Sequence, residues 1–371
     1  MPGKISVFIP VYRESELLES LIKRILEDPY EDKEIFVVID EPTRESLRLT
    51  ESFKGKVDFI LNGKRKGKVN ALNEAVKKSS GEVLLFLDSD LRIDPNSEKF
   101  LEVIVEELEE ADLVDIKKEV IRESLKARLV SYDYLGFNVA SWILSKTLKK
   151  CIGLNGAAFA IKRSAFEALG GFSRVVSEDL DTGIRAFLKG LRFKYLKEIE
   201  VQVKAPSSWS EWFKQRRRWG IGIALWLKDN FKVLVRAVRE YPTILLPSLL
   251  LVFPSLPLLL TSLIIPDELY IKALYIPLLL LSAHFSLLLP PIAFTSTTLF
   301  LIRNLFLSVG SLGAYSCVYY LLAQRIKYTF NPLEFTLFYL IYSTLWLTIV
   351  IASIIRVCVL KQEDLNIDWK T

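Results

Sequence analysis

Asp88-Ser89-Asp90 follows an apolar run over Val83–Leu87. That run is too apolar for a surface strand, so two carboxylates stand one residue apart at the end of a buried one. Carboxylates so spaced can hold a hard divalent cation, and Mg²⁺ or Mn²⁺ there would bridge them to phosphate oxygens. Taken alone, the pair reads more readily as a turn capping the next element. It has company. Lys64-Arg65-Lys66-Gly67-Lys68 precedes an expected helix start at 69–73, and basic side chains with helix N-terminal amides suit a diphosphate. A solvated charged loop fits that run equally well. Ser177-Glu178-Asp179-Leu180-Asp181 follows Gly170-Gly171-Phe172 and opens another helix. Acids in that place either complement the helix dipole or accept a proton from an attacking hydroxyl. Gln215, Arg218 and Trp219 fall at i, i+3 and i+4, on one helix face. Arginine can fork onto phosphate oxygens and tryptophan can carry a sugar ring; a basic, aromatic membrane belt looks similar but does not require the glutamine.

These residues need a scaffold that brings them together. From 4 to about 204 the sequence alternates strand and helix. Short apolar runs at 5–11, 35–39, 57–61 and 83–87 read as strands, while 14–27 and 69–78 carry helical spacing. Such alternation implies an α/β fold with a parallel sheet covered on both faces. Ligands bind beyond the carboxyl ends of such strands, and Asp40 and Asp88 both stand there. The one histidine, His284, lies in an apolar stretch. His-based metal sites and Ser-His-Asp triads are thereby excluded, and acid–base chemistry falls to carboxylates. Cys151, Cys317 and Cys358 are far apart without zinc spacing and are expected to be free thiols.

Beyond about 240 charge nearly vanishes. Apolar stretches at 243–265, 270–289, 297–323 and 335–360 give four candidate membrane spans, with Arg303 inside the third. Residues 206–240 mix Trp, Leu and Val with Lys and Arg, as an amphipathic element at the interface does. The expected plan is a catalytic domain over 1–205, interface helices over 206–240 and a helical transmembrane domain over 241–371. The chain opens directly on a strand with no signal peptide, so the catalytic domain is expected in the cytoplasm, on a multi-pass protein of the cell membrane. A net charge of +5 with both signs interleaved suits a membrane surface or an anionic substrate. No nucleic-acid partner is expected.

In order, Ile9-Pro10-Val11-Tyr12, Asp40, Gly67-Lys68-Val69-Asn70-Ala71-Leu72-Asn73, Asp88-Ser89-Asp90, Gly170-Gly171-Phe172, Glu178-Asp179 and Gln215-x-x-Arg218-Trp219 resemble the family 2 glycosyltransferases. The likeness is to their processive branch of hyaluronan, chitin and cellulose synthases, over roughly residues 4–220. Ceramide glucosyltransferase-like enzymes share a related set. The resemblance implies a GT-A fold, a UDP-sugar donor, inversion at the anomeric carbon and a Mg²⁺ or Mn²⁺ ion. By position, Asp40 contacts the uracil or ribose and Lys68 sits near the nucleotide. Asp88 and Asp90 bind diphosphate and metal, and Asp179, supported by Glu178, is the general base. Gln215, Arg218 and Trp219 hold the acceptor end and the pyrophosphate. A tail ending in Trp369-Lys370-Thr371 resembles the gating tail of hyaluronan and chitin synthases, with Trp369 and Thr371 in the gating positions. Two departures stand out: Arg13 occupies a place where Asn is common, and the usual N-terminal membrane helices are missing. Any translocation pore would then come from the C-terminal spans or from oligomers. The acceptor is expected to be a growing polysaccharide or, alternatively, a polyprenyl-phosphate or other lipid; a non-catalytic membrane scaffold is the third reading.

Overall fold

The computed structural model describes residues 3–264 and 296–362, with the single positions 276, 280, 283 and 284 between them. The apolar runs pair as the alternation requires. β1 (Ile5–Tyr12), β2 (Lys33–Asp40), β3 (Asp58–Asn62) and β4 (Val83–Leu87) lie parallel, joined by α1 (Leu18–Leu26), α2 (Arg44–Ser52) and α3 (Lys68–Lys78). α1 shows why these helices cover the sheet. Leu18, Leu21, Ile22 and Ile25 recur at helical spacing and are buried, while Glu19 and Lys23 pair outside at 2.7 Å. α2 begins where the Thr43 and Ser46 side chains form a reciprocal capping box.

Among the described residues the sheet has eight strands in the order β3-β2-β1-β4-β7-β6-β8-β5, with β5 (Leu91–Ile93), β6 (Leu113–Val120), β7 (Ala158–Lys162) and β8 (Phe193–Val203). The expected all-parallel sheet is corrected to a mixed one. β7 runs antiparallel to both β4 and β6, and β5 antiparallel to β8. The cause is local: the chain re-enters the sheet at the rim, where the Asp88 N–H donates to the Ala157 carbonyl at 2.9 Å. The strand that follows must run away from that rim. Four helices complete this layer: α4 (Phe100–Glu110), α5 (Leu125–Thr147), α6 (Arg163–Leu169) and α7 (Glu178–Leu188).

Directly below the rim, Phe86 of β4 gathers an aromatic core. Its ring stacks on Phe8 at 5.2 Å and Phe159 at 5.1 Å, and meets Phe172 edge-on at 4.9 Å. Burial of each ring contributes roughly 1.5–3 kcal/mol, with about 0.5–1.5 kcal/mol more per aromatic pair. The core therefore fixes the strand that ends at Asp88 and the Gly170-Gly171-Phe172 turn in one rigid piece.

Among the described residues, five helices follow: α8 (Trp209–Glu240), α9 (Pro242–Val252), α10 (Leu256–Ile264), α11 (Ser296–Arg325) and α12 (Pro332–Val359). Ser208 caps α8 by accepting from the Glu211 N–H at 3.1 Å, and Asn331 caps α12 with Pro332 at its first turn. Contacts divide the chain into two compact units, Met1–Leu249 with Thr348–Thr371, and Leu250–Leu347. In the first unit α8 packs against the end of α12. A Cβ on Gly220 would meet Ser353 Oγ at 2.7 Å, and Ile221, Ala224 and Val357 form a buried cluster. In the second unit Tyr319, Phe335, Phe338, Tyr339 and Tyr342 form a buried aromatic core. Arg303 is buried there, its guanidinium 5.3 Å from the Phe300 ring.

Among the described residues, two helices are long and apolar enough to cross a membrane, Arg303–Arg325 and Pro332–Val359. They correspond to the third and fourth expected spans. The described part of the first, 243–264, is two helices, α9 and α10, broken at Phe253-Pro254-Ser255. Pro254 offers no N–H to continue the ladder, and its ring clashes with the preceding turn. The stretch 270–289 falls almost wholly outside the described residues, as do Trp369 and Thr371. Cys151, Cys317 and Cys358 are all free, as expected.

Candidate active site

The rim of the sheet brings together acids that are far apart in sequence. Asp88 leaves β4, Lys68 is the first residue of α3, and Glu178 and Asp179 open α7. Lys68 Nζ lies 2.8 Å from Asp88 Oδ1 and 3.2 Å from Glu178 Oε1. Burial pulls the lysine down, yet the charges of Asp88 and Glu178, and then Asp179, outweigh it and raise Lys68 above the ordinary lysine value. Lys68, Asp88, Glu178 and Asp179 line one concavity, floored by Leu72, Phe86 and Phe172 and walled by Pro10 and Gly156.

Asp179 is held by backbone. Its Oδ2 accepts from the Gly156 N–H at 3.0 Å and its Oδ1 from the Leu180 N–H at 2.8 Å. Burial, then the Glu178 charge, push its pKa up to about 6 against the opposing pull of Lys68 and the two amides. Gly183, on the next turn of α7, touches the loop carrying Gly156 backbone to backbone, because a Cβ there would lie 2.5 Å from Gly153 Cα. Asp90 stands exposed beyond Asp88. Partial loss of hydration at the rim, then the Asp88 charge, still push its pKa up to about 6. The Asp88 loop is tied to the loop after β1 by Ser15 Oγ, which donates to the Ser89 carbonyl at 2.6 Å.

Asp40 is buried and spans three donors. Asn62 Nδ2 reaches its Oδ1 at 2.8 Å, and the N–H groups of Lys66 and Gly67 reach its Oδ2 at 2.9 and 2.8 Å. The carboxylate thus folds the basic loop so that it delivers Lys68 to the rim. Beside it Arg65 lies over the Tyr12 ring at 4.0 Å. Arg13 adopts a left-handed backbone with φ 63°, a conformation that Asn tolerates better than other side chains. This accounts for the Asn common at that place in the resemblance; here Arg13 reaches Glu41 at 3.5 Å.

Sequence reasoning missed the clamp between α3 and the glycine turn. Asn73 Nδ2 donates to the Phe172 carbonyl at 2.9 Å while its Oδ1 accepts the Phe172 N–H at 3.0 Å. Gly170 and Gly171 have φ of 80° and 78°, and a Cβ on Gly171 would meet Asn73 Oδ1 at 2.9 Å; only glycine suits this turn. Asn73→Ala strands both backbone groups of buried Phe172, so it is expected to remove about 1–3 kcal/mol of stability, read as a lower denaturation midpoint.

Gln215, Arg218 and Trp219 are half-buried on α8 and are not among the residues lining the concavity. α8 is nevertheless tied to α7: Trp226 Nε1–H donates to the Leu180 carbonyl at 3.1 Å, and a Cβ on Gly222 would collide with Ser177 Oγ. The most buried residue of the motif is one the sequence reading passed over, Arg216, fully enclosed. Its signal was present, since Trp212, Arg216, Gly220 and Ala224 recur every four residues and form the inward stripe.

A nucleotide-sugar transferase fold with acids and a lysine on the carboxyl rim defines the class. Residues 6–170 match the family described as Glycosyl transferase family 2. It is similar to the probable glycosyltransferase YdaM of Bacillus subtilis, 28% identical over 59% of this chain and 55% of that one. It is also similar to a poly-β-1,6-N-acetyl-D-glucosamine synthase of Staphylococcus aureus, 24% identical over 65% of this chain and 60% of that one. The chain thus spans little more than half the length of these relatives. Among solved structures, the mannosyltransferase PcManGT from Pyrobaculum calidifontis, in complex with GDP-Man and Mn²⁺, shares the fold with a TM-score of 0.52. Its identity is 19%, with coverage of 84% of this chain and 88% of that one.

Proposed function

We propose that this chain is an inverting, metal-dependent glycosyltransferase that moves a sugar from a UDP-sugar onto a growing polysaccharide at a membrane, with the catalytic domain on the cytoplasmic face. The observation that carries this reading is Lys68 set between Asp88 and Glu178, with Asp179 beside them. The sugar nucleotide lies along the rim with its diphosphate toward Lys68, Asp88 and Asp90, and with its nucleoside toward Asp40. Asp179 accepts the proton of the acceptor hydroxyl as that oxygen attacks the anomeric carbon from the face opposite the diphosphate. The amides of Gly156 and Leu180 aim the carboxylate, and Glu178 and Lys68 hold the donor side of the site. Trp219, with Gln215 and Arg218, supports the acceptor and the pyrophosphate. The relative described as a polysaccharide synthase and the two long apolar helices favour a polymer made at a membrane.

Among the described residues, no group of three or more His, Cys, Asp or Glu side chains is arranged to hold a metal ion. The residues that would hold Mg²⁺ or Mn²⁺ are Asp88 and Asp90, whose hard oxygens are too few to close a site by themselves. When bound, the ion neutralises the charge that develops on the departing nucleoside diphosphate. Chelation is accordingly expected to stop transfer and added Mn²⁺ or Mg²⁺ to restore it. Asp90→Ala should raise the metal concentration for half-maximal rate by on the order of tenfold or more. A variant with unchanged metal dependence would remove Asp90 from this role.

The function is tested with the full-length protein in lipid nanodiscs and labelled UDP-N-acetylglucosamine, other UDP-sugars and GDP-mannose. Product of many sugar units supports the polymer reading. A chloroform-extractable lipid carrying one sugar replaces it with the lipid-acceptor reading, and failure to consume any donor overturns both.

A further inference from the structure

The middle of the Gln215–Trp219 segment is buried as no surface helix requires. Arg216 is 0% exposed, and its Nη2 lies 2.8 Å from Oδ2 of Asp133 on α5, whose side chain is 3% exposed. On its other side the guanidinium faces the Trp219 ring at 4.4 Å, with the Trp212 ring at 5.6 Å. An ion pair taken out of water is a poor way to gain stability, since desolvation costs several kcal/mol per ion and apolar residues of similar volume usually do as well or better. What a planar guanidinium supplies instead is orientation: a carboxylate fixes its edge, and its face fixes an aromatic plane.

The place of the pair matters. Further along α8, Trp226 binds the Leu180 carbonyl next to Asp179. α8 is thus anchored on both flanks of Trp219, to α5 through Arg216 and Asp133 and to α7 through Trp226, beside the proposed base.

We propose that Arg216 and Asp133 are positioning residues for sugar transfer: their buried pair sets the plane and height of the Trp219 ring against which the acceptor rests. This deepens the transferase reading above and rests on it. The pair touches neither substrate. It fixes the acceptor side of the site and leaves the donor side, built on Lys68, Asp88 and Asp90, unchanged.

The decisive variant is the apolar double replacement Arg216→Met with Asp133→Leu in the full-length chain, which removes both charges together and leaves neither stranded. Thermal midpoint, donor binding and hydrolysis, and transfer to acceptor are measured with whichever of UDP-N-acetylglucosamine or GDP-mannose the wild type turns over, with Mn²⁺. The expected result is a folded protein with donor KM and donor hydrolysis near wild type and transfer lowered by about 10²-fold, the effect of a displacement on the order of 1 Å. A folded double variant that transfers as fast as wild type overturns the inference, and so does one that loses donor binding in step with transfer. Should the double variant fail to fold, Arg216→Lys decides. It keeps the charge but not the planar face, and the same selective loss of transfer is expected, while wild-type transfer overturns the inference. If the wild type consumes no UDP-sugar and no GDP-mannose, the transferase reading falls together with this one; if it transfers and the variants do too, only the positioning role falls.

Discussion

Asp179→Asn is expected to abolish sugar transfer, with kcat falling about 10²–10⁴-fold and the donor KM nearly unchanged. Asparagine matches the carboxylate in shape and keeps one oxygen for the Gly156 or Leu180 amide, so the fold survives, but it cannot accept a proton. The wild-type rate carries a second signature. Because the Asp179 pKa is pushed up to about 6, the base is protonated on the acid side, and kcat/KM falls as pH drops through about 6. Linkage gives the same group an opposite effect on stability. A carboxyl whose folded value lies above its ordinary 3.8 holds its proton more tightly in the native chain. Its stabilising contribution is full below that ordinary value and is lost as pH rises through about 6. A variant that transfers at the wild-type rate, or an acid limb that survives in residual Asn-variant activity, would remove Asp179 from the base role.

Gly183→Ala is the second large effect, and it arises from packing. The added Cβ would sit 2.5 Å from Gly153 Cα, 2.8 Å from its nitrogen and 2.9 Å from its carbonyl carbon. No flexible side chain is there to yield, so α7 and the loop must separate. Overpacking of this kind costs about 1–3 kcal/mol, occasionally more. The same shift pulls the Gly156 amide off Asp179, and a misplacement on the order of 1 Å costs about 10²-fold in rate. Calorimetric unfolding and transfer kinetics on one preparation check both halves; wild-type kinetics in the alanine variant would show that the loop does not aim the acid.

The parts of this architecture that read directly from sequence are those governed by continuous burial. β1 and β4 are apolar almost throughout, so their ends, and hence the place of Asp88, were legible. β6 was not, because it carries charges inward. Lys117 is buried against Glu200 at 2.5 Å, Lys118 is buried against Asp115, and Asn138 of α5 bonds the Lys118 backbone. A strand reading Leu-Val-Asp-Ile-Lys-Lys-Glu-Val gives no apolar period, since long-range partners rather than hydrophobicity satisfy it. The reversal of β7 was hidden for a related reason: strand direction depends on which edge the chain returns from. Within the site, the types and order of Lys68, Asp88, Glu178 and Asp179 were visible. The pairing of Lys68 with both Asp88 and Glu178, the Asn73 clamp and the enclosure of Arg216 are tertiary facts with at most a periodicity behind them.

The crossing of α8 with the end of α12 sets where the chain can be cut. A fragment ending at 249 would retain all eight strands and every acid of the rim. It would also lose 349–357, the segment against which Gly220, Ile221 and Ala224 are packed. The stripe laid bare lies on the helix that carries Trp219 and begins at the very next residue. A soluble catalytic fragment therefore needs those C-terminal residues restored, by a short linker in place of the intervening helices or as a separate peptide supplied in trans.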